Sequence, residues 1–413
     1  MRSALLSKFR SKARSAVLEP AQHWWHRMEV DLVRRRRDGA PGGRMLLVSD
    51  GKSYTSEQQF APLKRHASEL RRQLGVVFHF LPLRQAMRLT RDDLGPFDMV
   101  GLKLDFREPR EEVERVVASF RARLADEAAL IYFDGDDDLC VISRLLRHVD
   151  LYVKKHVFRE SSGYRRAYIG KSNLTDYVAR RHGASFADDI ITCSAAVPPD
   201  ETGKIFLGWN IAYDDRIARL FDRTRPPSPE AKDSDIVCRA TVPARSWMYP
   251  LRHPALRALD LAGQRWSVLA PTRQVPQEQY YAELRRSRIC VSPFGYGEIC
   301  WRDFEAILCG CLLLKPDVSH LRTAPDIFVP GETYAPVRWD YSDLLETCQR
   351  YLDDEAARVR IATRAYDVLA QRLGPAAFVE IFRTLLDRLG ASHRSLAGPT
   401  SRAPPTRLGR ASP

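Results

Sequence analysis

Nowhere in the 413 residues is there a run of about 18 apolar residues, so the sequence offers no segment to span a bilayer. The compact apolar stretch and small-residue cleavage site of a signal peptide are missing as well, and the protein is expected in the cytoplasm, peripheral on the inner face of the membrane if it touches lipid. There is no C-x-x-C pair and no Cys–His spacing suited to zinc. The eight cysteines (140, 193, 238, 290, 300, 309, 311 and 348) are scattered, mostly within apolar segments, and read as reduced core residues, which excludes a disulfide framework. Acid is the scarcer charge: 52 Asp and Glu against 65 Lys and Arg leave a formal +13.

That excess has an address. Residues 1–44 hold eleven Lys and Arg against four acids, and residues 391–413 hold four Arg and no acid, so the body between them is nearly neutral. No nucleic-acid-binding motif accompanies the charge, and a nucleic-acid partner is not expected. The first tail sets Leu5, Leu6, Phe9, Val17, Leu18, Trp24 and Trp25 among its basic residues. It reads as an interfacial anchor on an anionic membrane surface, or as a helix packed on its own protein, or as a disordered arm. The last segment, rich in Pro, Ser, Ala and Arg, reads as a disordered tail.

Between the tails, strand and helix patterns alternate. MLLVSD (45–50), VVFHFL (76–81), DMVGLKLDF (98–106), ALIYFD (129–134) and DLYVKKHV (150–157) read as strands; 61–74, 111–124 and 138–149 have helical spacing. The rhythm lapses over 158–234, which ends in the proline-rich RTRPPSPEAKDSD, and resumes with strands at 235–242, 265–270 and 288–293 and helices near 254–262 and 278–287. Repeated β-α-β units imply parallel sheets covered by helices. The expected architecture is α/β: a basic N-terminal segment (1–44), a first Rossmann-like lobe (45–222), a linker (223–234), a second Rossmann-like lobe (235–390) and a tail (391–413).

The most informative stretch is SPFGYGEICWRDFEAILCGCLLLKPD, 292–317. It reads as one β-loop-α-β unit: a strand ending at Ser292 and Pro293, a loop carrying Gly295, Tyr296 and Gly297, a helix from about Trp301 to Cys309, Gly310 as its cap, and a buried strand. Loop glycines at a strand's carboxyl end admit a ligand to the backbone, and the helix N-terminus behind them favours a diphosphate. The spacing is not G-x-G-x-x-G, so the dinucleotide fingerprint is absent. Carboxylates would repel a phosphate, whereas Glu298 and Glu305 suit the vicinal hydroxyls of a ribose or a hexose. Arg302 and Lys315 supply positive charge for a departing diphosphate.

At these residues the sequence resembles the donor-binding half of glycosyltransferases of the GT-B fold, and most of all bacterial surface-polysaccharide transferases with an SPFG-GEI--R-FEA signature. The likeness spans about 235–370, is weaker over 45–157 and leaves out the tails. It implies two Rossmann-like lobes facing across a cleft. The activity it implies is transfer of a sugar from a nucleotide-diphosphate sugar to a glycan or lipid-linked acceptor, with retention and with no metal required. By the resemblance Glu305 meets the ribose, Glu298 the sugar, and Arg239, Arg302 and Lys315 the phosphates, with Arg252 and Tyr249 nearby. The retaining members have seven residues between their two glutamates. Here six intervene, and Gly297 falls where the first glutamate usually stands. His156, at the end of a strand facing the expected cleft, is a candidate catalytic residue that would orient an acceptor or steady a donor hydroxyl; Lys103 and Asp105 end another strand, and Asp105 is a candidate base if an acceptor hydroxyl lies near it.

Two other readings stay open. Asp134, Asp136, Asp137 and Asp138 in FDGDDDL suit either Mg²⁺ or Mn²⁺, as in the other major glycosyltransferase fold, or a helix cap. The chain also suits a sugar-nucleotide-binding protein that keeps the fold without catalysis.

Overall fold

The computed structural model describes residues 42–186, 196–224, 232–242, 246–271 and 273–396, with backbone only at 55, 56 and 391–396. Nearly all of the expected anchor at 1–44, residues 1–41, and most of the expected tail lie outside the described residues.

Thirteen strands are described, in chain order β1 (Arg44–Ser49), β2 (Val77–Pro82), β3 (Met99–Lys103), β4 (Ala129–Phe133), β5 (Leu151–Lys154), β6 (His156–Phe158), β7 (Ile205–Leu207), β8 (Ser234–Val237), β9 (Val268–Leu269), β10 (Ser287–Val291), β11 (Leu312–Pro316), β12 (Leu321–Thr323) and β13 (Ala335–Val337). They form two parallel sheets, β2-β1-β3-β4-β5-β7 and β13-β11-β10-β8-β9. The central strands are buried along their whole length, as expected for strands covered by helices on both faces. In each sheet the chain lays one neighbour on one side of its first strand and then crosses to the other side. The order therefore reverses between β1 and β3 and again between β8 and β10, and such reversals open crevices at the carboxyl ends of the strands.

Two devices tie the lobes together. The segment expected as one strand over 150–157 breaks after Lys154: β5 stays in the first sheet, while β6 leaves it and pairs antiparallel with β12 of the second lobe. Helix Pro375–Leu396 crosses back, burying Phe378, Val379, Phe382, Leu385 and Leu389 with Met45, Leu47, Phe133 and Trp209 of the first lobe. The family resemblance implied that the final helices, near 353–389, pack the lobes together, and the expected order ended at 390. The helix runs through Gly390 and continues to Leu396, shortly before Gly398 and Pro399.

The helix expected over 138–149 does not form; only a 3-10 turn at Ser143–Leu145 is present. The backbone there is claimed by the strands. Lys154 Nζ donates to the Cys140 carbonyl at 2.8 Å, and the Ile142 N–H donates to the Tyr152 hydroxyl at 3.2 Å.

Candidate active site

The carboxyl ends of both sheets meet. The loop after β10 reaches the first lobe so closely that a Cβ on Gly297 would lie 1.3 Å from the Asp137 carbonyl oxygen, so only glycine fits. The helix that follows, Trp301–Leu308, is closed by Gly310 at φ 74°, as the sequence implied.

Glu298 is fully buried and reaches across the lobes. Its carboxylate accepts from Asn173 Nδ2 at 2.8 Å and lies 3.4 Å from His156 Nε2 and 3.5 Å from His320 Nε2. Burial alone would raise this carboxyl, but the hydrogen bonds from His156 and His320 outweigh it and hold Glu298 well below the usual range. Burial pushes His156 down; its Nε2 faces the Glu298 carboxylate, and its buried Nδ1 has no hydrogen-bond partner among the described residues. Glu298 is thus a clasp between lobes in this conformation. A sugar hydroxyl reaches it only by displacing one of these partners.

Glu305 is equally occupied. Tyr280 and Tyr281 donate to it at 3.0 and 3.3 Å, and Arg216 lies 2.8 Å away. Burial raises its pKa against the pull of Arg216.

The cations named from the sequence brace the loop. Arg302 donates to the Pro293 and Arg239 carbonyls at 2.6 and 2.8 Å and to the Ser292 hydroxyl at 3.0 Å. It thereby ties the ends of β8 and β10 together where the sheet order reverses. Arg252 donates to the Phe294 and Thr241 carbonyls, both at 2.7 Å. Arg239 grips Glu283 with two hydrogen bonds of 2.5 Å. Lys315, buried, donates to the Glu298 carbonyl at 2.8 Å and pairs with Asp303 at 2.5 Å. Asp303 also accepts from Cys300 N at 3.0 Å at the start of the 301–308 helix. Because Lys315 neutralises that buried carboxylate, the positive end of the helix is not cancelled by it. Gly295 and Tyr296 form the tip of the loop, Tyr296 being 63% exposed, and Tyr249 stacks on His253 at the start of helix Tyr249–Ala262.

The aspartates after β4 are matched by lysines. Asp134 pairs with Lys154 at 2.9 Å, Asp137 with Lys155 at 2.6 Å, and Asp138 with Lys171 at 3.1 Å, while Asp136 also contacts Lys171. A divalent cation would have to displace these ammonium groups, so the donor set does not fit a metal. Asp138 is pushed up to about 6, chiefly by burial and then by Asp136. Asp105, named as a candidate base, is held well below the carboxylate range: burial would raise it, but the stronger pull is a paired hydrogen bond from Arg107, at 2.9 and 2.8 Å. Lys103 is buried, which pushes it down to about 8.

Asn173, His320, Asp303, Arg216, Tyr280 and Tyr281 complete the site and were not singled out in the sequence. Only Asp303 carried a signal, as an acid in the first turn of an expected helix. The others come from distant segments.

Residues 239–376 match a protein-family model described as glycosyl transferase-like. The match covers a third of the chain, within the second lobe, which therefore carries a glycosyl transferase-like region. Joined to the other parallel-sheet lobe, it gives the two-lobed α/β architecture expected from the sequence. Similar solved structures include HepE of Anabaena in complex with UDP and glucose, at 10% identity and a TM-score of 0.45, covering 83% of this chain and 99% of that one. The trehalose 6-phosphate synthase of Burkholderia multivorans is similar at 11% identity and a TM-score of 0.45, covering 87% and 99%. MnaA of S. aureus, solved with UDP, is similar at 9% identity and a TM-score of 0.40, covering 83% and 97%. No curated protein matches the chain.

Proposed function

We propose that this glycosyltransferase moves a sugar from a nucleotide-diphosphate sugar to a glycan or lipid-linked acceptor in cell-surface polysaccharide synthesis, with retention and without a required metal. The observation that carries the reading is the braced loop 293–298. It sits where the order of the second sheet reverses, runs into the N-terminus of helix Trp301–Leu308, and faces the strand ends of the other lobe. In the reaction the bond between the anomeric carbon and the diphosphate breaks, a bond to the acceptor oxygen forms, and the acceptor's proton leaves with the diphosphate. Helix N–H groups, with Arg302 and Arg252 fixing the loop, oppose the negative charge that grows on the leaving group. UDP-sugars are the first donors to try, since HepE and MnaA were solved with UDP. Membrane contact through residues 1–44, on the cytoplasmic side, belongs to the same reading; no described helix is long and apolar enough to cross a membrane.

A second reading, nucleotide-sugar binding without turnover, is favoured by one observation: protein groups fill both Glu298 and Glu305. A screen of UDP-, GDP-, ADP- and CMP-linked sugars by mass spectrometry, with and without chelator, tests both. Release of nucleoside diphosphate, unaffected by chelator, is expected; binding without release supports the second reading, and loss of activity with chelator contradicts the metal-free mechanism.

A further inference from the structure

The lobes also meet through an aromatic pair. Tyr54 follows β1, at the reversal point of the first sheet, and its ring lies 6.2 Å from that of Trp301, the first residue of the 301–308 helix, with 25° between the planes. Tyr54 is 56% exposed, so most of its ring is not spent on the core. Its hydroxyl donates to Asp214 at 2.7 Å, fixing the ring from below, and Asp214 also accepts from the Arg216 N–H at 2.8 Å. Arg216 stands 5.8 Å over the Trp301 ring and holds Glu305 at 2.8 Å, with about a third of its side chain exposed. An exposed tyrosine ring, anchored through its hydroxyl and lying with Trp301 beside a guanidinium where the lobes meet, has the chemistry of a carbohydrate subsite. The C–H face of a pyranose lies on the negative face of an aromatic ring, and its hydroxyls turn to nearby polar groups.

We propose that Tyr54 and Trp301 form a platform for a pyranose ring whose hydroxyls meet Arg216. The proposal rests on the nucleotide-sugar reading of the cleft. The ring belongs to the donor's sugar or to the acceptor's terminal sugar, and these two sources are separable.

Calorimetry on the wild type, Tyr54→Ala and Tyr54→Phe decides. One arm compares UDP-glucose with UDP. The other titrates methyl glucoside, methyl galactoside and methyl N-acetylglucosaminide with and without saturating UDP. The platform predicts that Tyr54→Ala weakens one arm by about 3- to 10-fold, the range expected for losing one stacking face. Tyr54→Phe, which keeps the ring, should stay within about 2-fold of the wild type, and UDP affinity, which also reports an intact fold, should not change. Weakened UDP-glucose assigns the ring to the donor, and weakened methyl glycoside assigns it to the acceptor. Equal affinities for wild type and Tyr54→Ala overturn the platform, as does a loss in Tyr54→Phe as large as in Tyr54→Ala, since the Asp214 hydrogen bond would then be what matters. Failure of the wild type to bind UDP sinks the nucleotide reading while the glycoside arm still judges the platform. Wild type that binds no sugar in either arm overturns the platform itself.

Discussion

Glu298 has four neighbours that decide its chemistry. Asn173, His156 and His320 hold its carboxylate and Lys315 its carbonyl, so truncation leaves buried donors unpaired on both lobes. Glu298→Ala is expected to destabilise the fold by about 2–4 kcal/mol, read from urea unfolding midpoints. A cost under about 0.5 kcal/mol would show that the clasp does not hold the lobes. One position away, Gly297→Ala forces its new methyl into the Asp137 carbonyl. The lobes must part there, and a loss of about 1–3 kcal/mol is expected by the same measurement. Asp138 adds a pH dependence. Burial and the neighbouring Asp136 push it up to about 6, above the ordinary value of 3.8, so between those values the folded state binds the proton more tightly and this group's contribution to stability falls as pH rises from about 4 to 6. Asp138→Asn should therefore flatten the stability difference between pH 4 and pH 6.5; an unchanged slope would assign that dependence to another group.

At the scale of elements, the unit from β10 to β11 was the most legible part of the chain. Its strand, glycine loop, helix, Gly310 cap and apolar strand follow from local pattern, and each appears within about two residues of its expected place. Local pattern failed where long-range hydrogen bonds override it: at 138–149, where Lys154 and Tyr152 take the backbone, and after Lys154, where β6 departs to a strand more than 160 residues away. The roles of the cations were also hidden. The resemblance implied phosphate contacts, and the structure adds carbonyl partners for Arg302 and Arg252 that only a folded loop supplies. The fork of Arg302 reaches three oxygens at once, and a lysine cannot copy that geometry. Arg302→Lys is expected to lower turnover by about 10-fold or more with little change in secondary structure by circular dichroism. Full activity in this variant would remove the bracing role.

For the whole molecule, the interlobe contacts set what the parts can do alone. Helix Pro375–Leu396 buries five large side chains on the first lobe, each contributing about 1.5–3 kcal/mol, a sum comparable with the whole stability of a domain. A chain ending at residue 374 should be insoluble or lack a cooperative unfolding transition; a soluble, two-state protein of that length would show that the crossing helix is dispensable. The formal +13 belongs mainly to the tails and leaves a near-neutral body; on the proposed reading, attraction for a diphosphate comes from oriented N–H groups and a few fixed guanidinium groups at one loop. Hydrogen–deuterium exchange with mass spectrometry, on the full chain with and without UDP, tests that claim most directly. Slowed exchange concentrated in residues 293–303 is the predicted result. No protection there, or protection confined to the Asp134–Asp138 loop, would contradict it.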